Sequence, residues 1–387
     1  MNNNIYLDHY RTTRLSEDAY GKMKPYMEDA FYLPVSFTEM GTRAAEAVEE
    51  SEERVRKALN AENAEIIFTS GGTEANNLVI HGVLRDAEPG ETTMITSVID
   101  HPSIVNTYDY YKKRGFGVKK IRVDDEGFWK TEELEAALNE TTRLVSITYV
   151  NHTIGTIQKI DEISKMIREK APKARIHLDA AMALLSVDMD LEKLDVDFVT
   201  LSGHKIYGPK GTGLIISRKK GALKPVLFGT VVTSPYKPGA DNLPGIVGIS
   251  HAVREAVQNR ERYVEKNLRL QKKLMDMIED KIPNVLLNGP VERRAVDNVN
   301  YSFRQIEGES IMMFLDFEGI VVATGSACAS SDLKVNYILS AIGRDHEMAH
   351  GSLRITTGRE NTEADIERFV KELVPIVERL REQSTIK

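Results

Sequence analysis

Glu65-Ile-Ile-Phe-Thr-Ser-Gly-Gly-Thr-Glu74 opens on five residues rich in β-branched and aromatic side chains and closes on a glycine pair. A helical pattern runs from Ala75 to about Leu84. A short apolar strand, a glycine turn and a helix form the opening half of a βαβ unit, which requires a parallel partner strand. The turn has two readings. Its exposed N–H groups and the helix dipole can cradle an anion such as phosphate, with Gly72 allowing close approach and Thr73 adding a hydroxyl. It can equally be an ordinary capped glycine turn.

The same rhythm continues outward. Strand candidates follow at 93–97, 118–123, 144–150, 175–178, 198–202 and 213–217, with helical patterns between several of them, such as 131–138 and 160–170. Residues 44–59 read as an amphipathic helix preceding the first strand. Buried strands alternating with helices predict a mainly parallel sheet. Beyond about Leu243 the texture changes. Residues 245–280 read as one long helix or a kinked pair, followed by strands at 296–304 and 351–356 and a terminal helix at 362–382. A second, smaller α/β unit is expected there.

Composition narrows the function classes. The chain has 387 residues, 41% hydrophobic and 28% charged, and a net charge of -7. That balance argues for a soluble globular protein and against nucleic acid as the main partner. No apolar run approaches the length that spans a bilayer, and Met1–Asp8 has neither the basic nor the apolar part of a secretory signal. The one cysteine excludes an intrachain disulfide framework and a cysteine-rich metal site, which points to the cytoplasm.

Four further stretches carry chemistry. In His177-Leu178-Asp179-Ala180-Ala181 an aspartate at a strand end can face a protonated ring nitrogen or cap a turn. In Ser202-Gly203-His204-Lys205-Ile206-Tyr207-Gly208-Pro209-Lys210-Gly211 a lysine directly follows an apolar run. A desolvated amine there can form a Schiff base; the alternative is a surface lysine in a glycine-rich turn. In Thr324-Gly325-Ser326-Ala327-Cys328-Ala329 the lone cysteine lies among small residues, as a reactive thiol or an inert filler. In His350-Gly351-Ser352-Leu353-Arg354 an arginine within a strand pattern needs a carboxylate, from a ligand or from the protein. His346-Glu347-Met348-Ala349-His350 also fits the H-E-x-x-H zinc pattern, but Gly351 places the second histidine at a helix end, so no metal site is expected.

Taken together and in order, these stretches resemble the pyridoxal-phosphate-dependent cysteine desulfurases, the NifS/IscS-like group of class V aminotransferases. The likeness extends from Tyr6-Leu7-Asp8 to the last helix and includes 69–78, 95–103, 154–158, 202–211, 325–328 and 349–354. It implies a fold type I transferase, with a large unit at 14–255 built on a mostly parallel seven-stranded sheet, and a small unit formed by 1–13 and 256–387. Pyridoxal 5'-phosphate is the implied cofactor. Lys205 would hold it and then shuttle protons. Asp179 would pair with the ring nitrogen, and His101 would stack on the ring and assist proton transfer. Gly72, Thr73, Ser202 and His204 would hold the phosphate. Asn151 would reach the ring's phenolic oxygen and the substrate, and Arg354 the substrate carboxylate. Cys328 would attack the sulfur of L-cysteine, leaving a persulfide and alanine. A homodimer and a sulfur-acceptor or scaffold protein serving iron–sulfur cluster or thio-cofactor synthesis are implied partners.

The chain departs from the family pattern around the pocket. Arg11 stands where a small residue is expected, and Asn151-His152-Thr153 replaces Asn-Asn-Glu. Met182 replaces a glutamine that bonds the phenolic oxygen, Lys237 an arginine, and Ala240 a threonine that reaches the partner's phosphate. A thioether donates no hydrogen bond, so that contact is lost. These changes keep open another class V enzyme, such as a selenocysteine lyase, a C–S lyase or an aminotransferase, and a non-catalytic homologue.

Overall fold

The computed structural model describes residues 4–34, 37–324 and 336–384. Its centre is a seven-stranded sheet in the order Glu65–Thr69, Gly213–Ser217, Phe198–Ser202, Arg175–Asp179, Thr142–Thr148, Thr93–Ser97, Gly117–Ile121. Gly213–Ser217 is antiparallel to both its neighbours, and the other pairings are parallel. All five residues of Phe198–Ser202 and of Gly213–Ser217 are buried, as expected for strands covered on both faces.

Glycine is essential at the first turn. Gly71 sits at φ 153°, which side-chain-bearing residues rarely adopt. A Cβ on Gly213 would lie 2.6 Å from the Gly71 backbone, so the neighbouring strand must also be bare there. The helix Gly72–Leu84 starts immediately after the turn and buries Ala75, Leu78 and Val79.

A smaller antiparallel sheet runs Ala323–Thr324, Ser352–Thr356, Asn298–Phe303, Val285–Leu287. It packs with the helices Arg260–Lys281 and Glu363–Gln383 around Leu270, Leu274, Phe303, Leu353 and Phe369. Ile5 and Leu7, from the other end of the chain, join this core. Ile338, Leu339 and Ile342 pack instead with the central sheet.

The stretch 245–280 resolves into two helices, Leu243–Gln258 and Arg260–Lys281, broken at Asn259. The early helix is longer than its apolar pattern, Glu39–Ala58, because the Thr38 hydroxyl accepts from Gly41 N and caps it upstream. The terminal helix starts on a capping box between Thr362 and Asp365. Residues 346–350 form one short helix; Glu347 accepts a hydrogen bond from Gln305 N and so braces a turn.

Phe369 is fully buried at the centre of the second core. Phe369→Ala is expected to destabilise the protein by about 3–5 kcal/mol, read from guanidinium unfolding followed by circular dichroism.

Candidate active site

The carboxyl ends of the parallel strands open into one cavity of about 720 Å³. Ligands of open α/β sheets bind at this edge. Its walls include Gly72 and Thr73 after the first strand, His101 after Thr93–Ser97, and His152 after Thr142–Thr148. Asp179 ends the fourth strand of the parallel set, Ser202 ends the next, and His204 and Lys205 follow it. Arg354 enters from the smaller sheet, and Tyr10 and Arg11 from the N-terminal segment.

Lys205 is the last residue of a single 3-10 turn, Gly203–Lys205. Its Nζ donates to the carbonyls of Tyr10 and Arg11, the latter at 3.0 Å. Burial, and then the nearby Arg354 cation, push the amine down to about 8, despite an opposing pull from Asp8. An amine so lowered has a substantial neutral fraction near neutrality and can attack a carbonyl carbon.

Asp179 is held rigidly. Its Oδ2 accepts from Asn76 Nδ2 at 2.8 Å and its Oδ1 from Ala181 N at 3.0 Å. The same Asn76 amide donates to Ser103 Oγ at 2.9 Å, and its oxygen accepts from Thr200 Oγ1 at 2.6 Å. His101 caps the helix Pro102–Lys113: its Nδ1 accepts from Ser103 N at 3.2 Å. Burial lowers its pKa, with Asp179 partly offsetting the effect. His204 is pushed down to about 4 by burial and then by Lys205, so it is neutral at pH 7.

Arg354 is only partly free. Nη2 donates to Asp8 Oδ1 at 2.7 Å and Nη1 to the His152 carbonyl at 2.9 Å, while Nε has no partner among the described residues.

Of the residues singled out in the sequence, Gly72, Thr73, His101, Asp179, Ser202, His204, Lys205 and Arg354 line this cavity. Asn151 does not. Its Nδ2 donates to the Ile99 carbonyl at 3.2 Å, and its oxygen accepts from Thr153 N and Ile154 N at 2.9 and 3.0 Å. The side chain is spent on shaping the turn, and the next residue, His152, faces the cavity instead. Cys328 lies outside the described residues. The ends of its segment are placed: Ala323 pairs with Arg354, and Tyr337 OH donates to the Asp100 carbonyl at 2.9 Å, beside His101. Sequence reasoning assigned no role to Asn76 and Ser103. Asn76 lies four residues after Gly72, one turn along the same helix face, which was the available signal.

The profile of the Aminotransferase class-V family matches residues 5–369. This chain belongs to that family. Cysteine desulfurase IscS of Dictyoglomus turgidum is 38% identical over 387 residues, covering 100% of this chain and 98% of that protein. Among solved structures, a NifS-like protein superposes with a TM-score of 0.91 at 31% identity, covering 97% of this chain and 99% of that one. A structure described as SspA in complex with cysteine gives 0.80 at 27%, covering 91% and 98%. Within the class V family the chain therefore sits among the NifS/IscS-type cysteine desulfurases, which depend on pyridoxal phosphate.

The cavity fits that cofactor on its own chemistry. The Gly71-Gly72 turn, Thr73, Ser202 and Lys210 suit an anionic phosphate at one end, and Asp179 suits a protonated ring nitrogen. Lys205 suits an aldehyde. His152 Nδ1 and Arg354 Nε are buried without partners among the described residues, as expected of groups beside a polar ligand.

Lys205 reacts as the neutral amine, so coenzyme uptake by the stripped protein should quicken as pH rises through about 8. In Arg354→Leu the repulsion that disfavours the ammonium is gone. The midpoint should then move to higher pH, read by stopped-flow absorbance.

Proposed function

We propose that the protein is a pyridoxal-phosphate-dependent cysteine desulfurase that converts L-cysteine to L-alanine and passes the sulfur to Cys328 as a persulfide. The observation that carries this reading is the meeting of Lys205, Asp179 and Arg354 on one cavity. A carbonyl-reactive amine, a carboxylate and a carboxylate-binding cation are what an amino-acid substrate and this coenzyme need. When bound, the coenzyme acts as an electron sink that allows bonds at Cα and beyond to be made and broken.

The chain's own residues supply the rest. Gly72, Thr73, Ser202 and His204 hold the phosphate, and Asp179 keeps the ring nitrogen protonated, locked in place by Asn76 and Ala181 N. Lys205 holds the coenzyme and later moves a proton at the substrate carbon. His101 covers the ring and takes part in proton transfer. Arg354 orients the substrate by its carboxylate. The Cys328 thiolate attacks the substrate sulfur; the substrate's carbon–sulfur bond breaks, a sulfur–sulfur bond forms on Cys328, and the carbon is protonated as alanine departs. A sulfur acceptor, for iron–sulfur cluster or thio-cofactor synthesis, then removes the terminal sulfur.

The working form would be a cytoplasmic homodimer. Residues 14–255 would form the cofactor-holding unit, with 1–13 and 256–387 as the unit bearing Arg354 and Cys328. Arg11 and Met182 on the cavity wall favour a second reading, a related lyase or aminotransferase with a different amino acid.

L-cysteine with a reductant should yield alanine and sulfide in equal amounts. Cys328→Ala should keep the coenzyme absorbance and lose both products, and mass analysis of the wild-type Cys328 peptide should show one added sulfur. Turnover of another amino acid with none of cysteine would replace the desulfurase by the second reading.

A further inference from the structure

Arg11 lines the cavity, and the steps given above leave it without a task. Its carbonyl accepts from Lys205 Nζ at 3.0 Å, which fixes its backbone beside the amine. Its side chain is 66% exposed, so the guanidinium stands at the rim. After burial and Arg354, the Arg11 cation also helps to hold the Lys205 amine down, so its charge is felt inside the cavity.

Asp8 ties Arg11 to Arg354. Asp8 Oδ1 accepts from Arg354 Nη2 at 2.7 Å and Oδ2 from Arg11 Nε at 3.0 Å. The two guanidiniums therefore stand one carboxylate apart, and one negative charge is shared between two positive ones. Arg354 alone already pairs the buried Asp8, and an exposed partner three residues along the chain adds little stability. Folding thus gives no reason for the second arginine. Nε is its one side-chain nitrogen with a partner among the described residues, which leaves both Nη groups as open donors.

The other basic groups on the wall are committed or uncharged. Lys205 donates to the Tyr10 and Arg11 carbonyls. Chiefly by burial, His101, His152 and His204 are held below the usual imidazole range. With Arg354 assigned to the α-carboxylate of a substrate, a second guanidinium one carboxylate away suits a second acid group on the same ligand.

We propose that Arg11 is a specificity residue that binds an acidic group on the substrate's side chain, so that the cavity favours α-amino acids with a short acidic side chain over neutral ones of the same shape. The inference rests on the coenzyme reading given under Proposed function, and it names the class of amino acid in the second reading there.

The test titrates coenzyme-loaded protein with L-aspartate and with L-asparagine, its neutral isostere, following the coenzyme absorbance. The wild type should bind L-aspartate about tenfold more tightly, and added salt should narrow the gap. Arg11→Gln and Arg11→Ala should each abolish the preference by weakening L-aspartate alone, with the spectrum of the unliganded coenzyme kept. Arg11→Lys, which restores the charge without the fork, should recover part of it. A loaded wild type that binds the two ligands equally or binds neither, or a preference that survives in both neutral variants, would overturn the role of Arg11 and leave the coenzyme reading standing. A wild type that takes up no coenzyme would overturn that reading and this inference with it.

Discussion

The Asp8–Arg354 ion pair joins residues 346 positions apart at 2.7 Å, with both side chains largely buried. A pair in this setting contributes little net stability, because desolvating two charges offsets most of their attraction. Its importance is positional. It fastens the N-terminal segment to the smaller sheet, and Tyr10 N donating to Thr356 Oγ1 at 3.1 Å adds a second tie. From the same segment the Tyr10 and Arg11 carbonyls receive the Lys205 amine. Tyr10 OH donates to Asp297 at 2.9 Å, where Tyr263 and Ser186 also converge. One short stretch of chain thus connects the strand that carries Arg354 to the turn that carries Lys205. If it shifted, the distance between the amine and the guanidinium would shift with it.

That geometry sets the charge balance of the cavity. Lys205 and Arg354 are close enough for the arginine to lower the amine, and Asp8 keeps the arginine from doing so at full strength. Asp179, on the far strand, is fixed by neutral donors, Asn76 and Ala181 N, so its negative charge remains available to a ring nitrogen. The polar chain behind it continues from Asn76 through Thr200 to His177, Ser146 and Tyr108, all buried. Burial pushes His177 down to about 4, so this chain is neutral and adds rigidity without competing charge.

Local signals made much of this legible in the sequence. Thr69, Ser97, Ser202 and Ser217 end their strands as expected, each where an apolar run gives way to turn-forming residues. The run 144–150 was displaced by two residues because Tyr149 and Val150 are as buried as the strand itself, although they belong to the turn that follows. Pairs as short as Ile5–Tyr6 with Ile320–Val321 carry no alternation to detect. Asn151 exposes the limit of motif transfer. A resemblance carries a residue's place in the chain, whereas the direction of its side chain is decided by partners such as Ile99, which are distant in sequence. Asn76 escaped notice for the related reason that its partner Asp179 is 103 residues away.

The departure from the family pattern at Lys237 has a local physical consequence. Lys237 stands where the family has an arginine, and its amine lies 3.2 Å from both Glu74 oxygens. Glu74 also accepts from Ser70 N at 2.5 Å, which braces the glycine turn. Burial alone would raise that carboxyl, but the bonds from Ser70 and Lys237 outweigh it and keep it ionised. The turn expected to hold a phosphate is therefore steadied from within the chain. The Glu74–Lys237 pair stiffens this turn from within the chain, while the cavity still brings together the Lys205 amine, the Asp179 carboxylate and the Arg354 guanidinium.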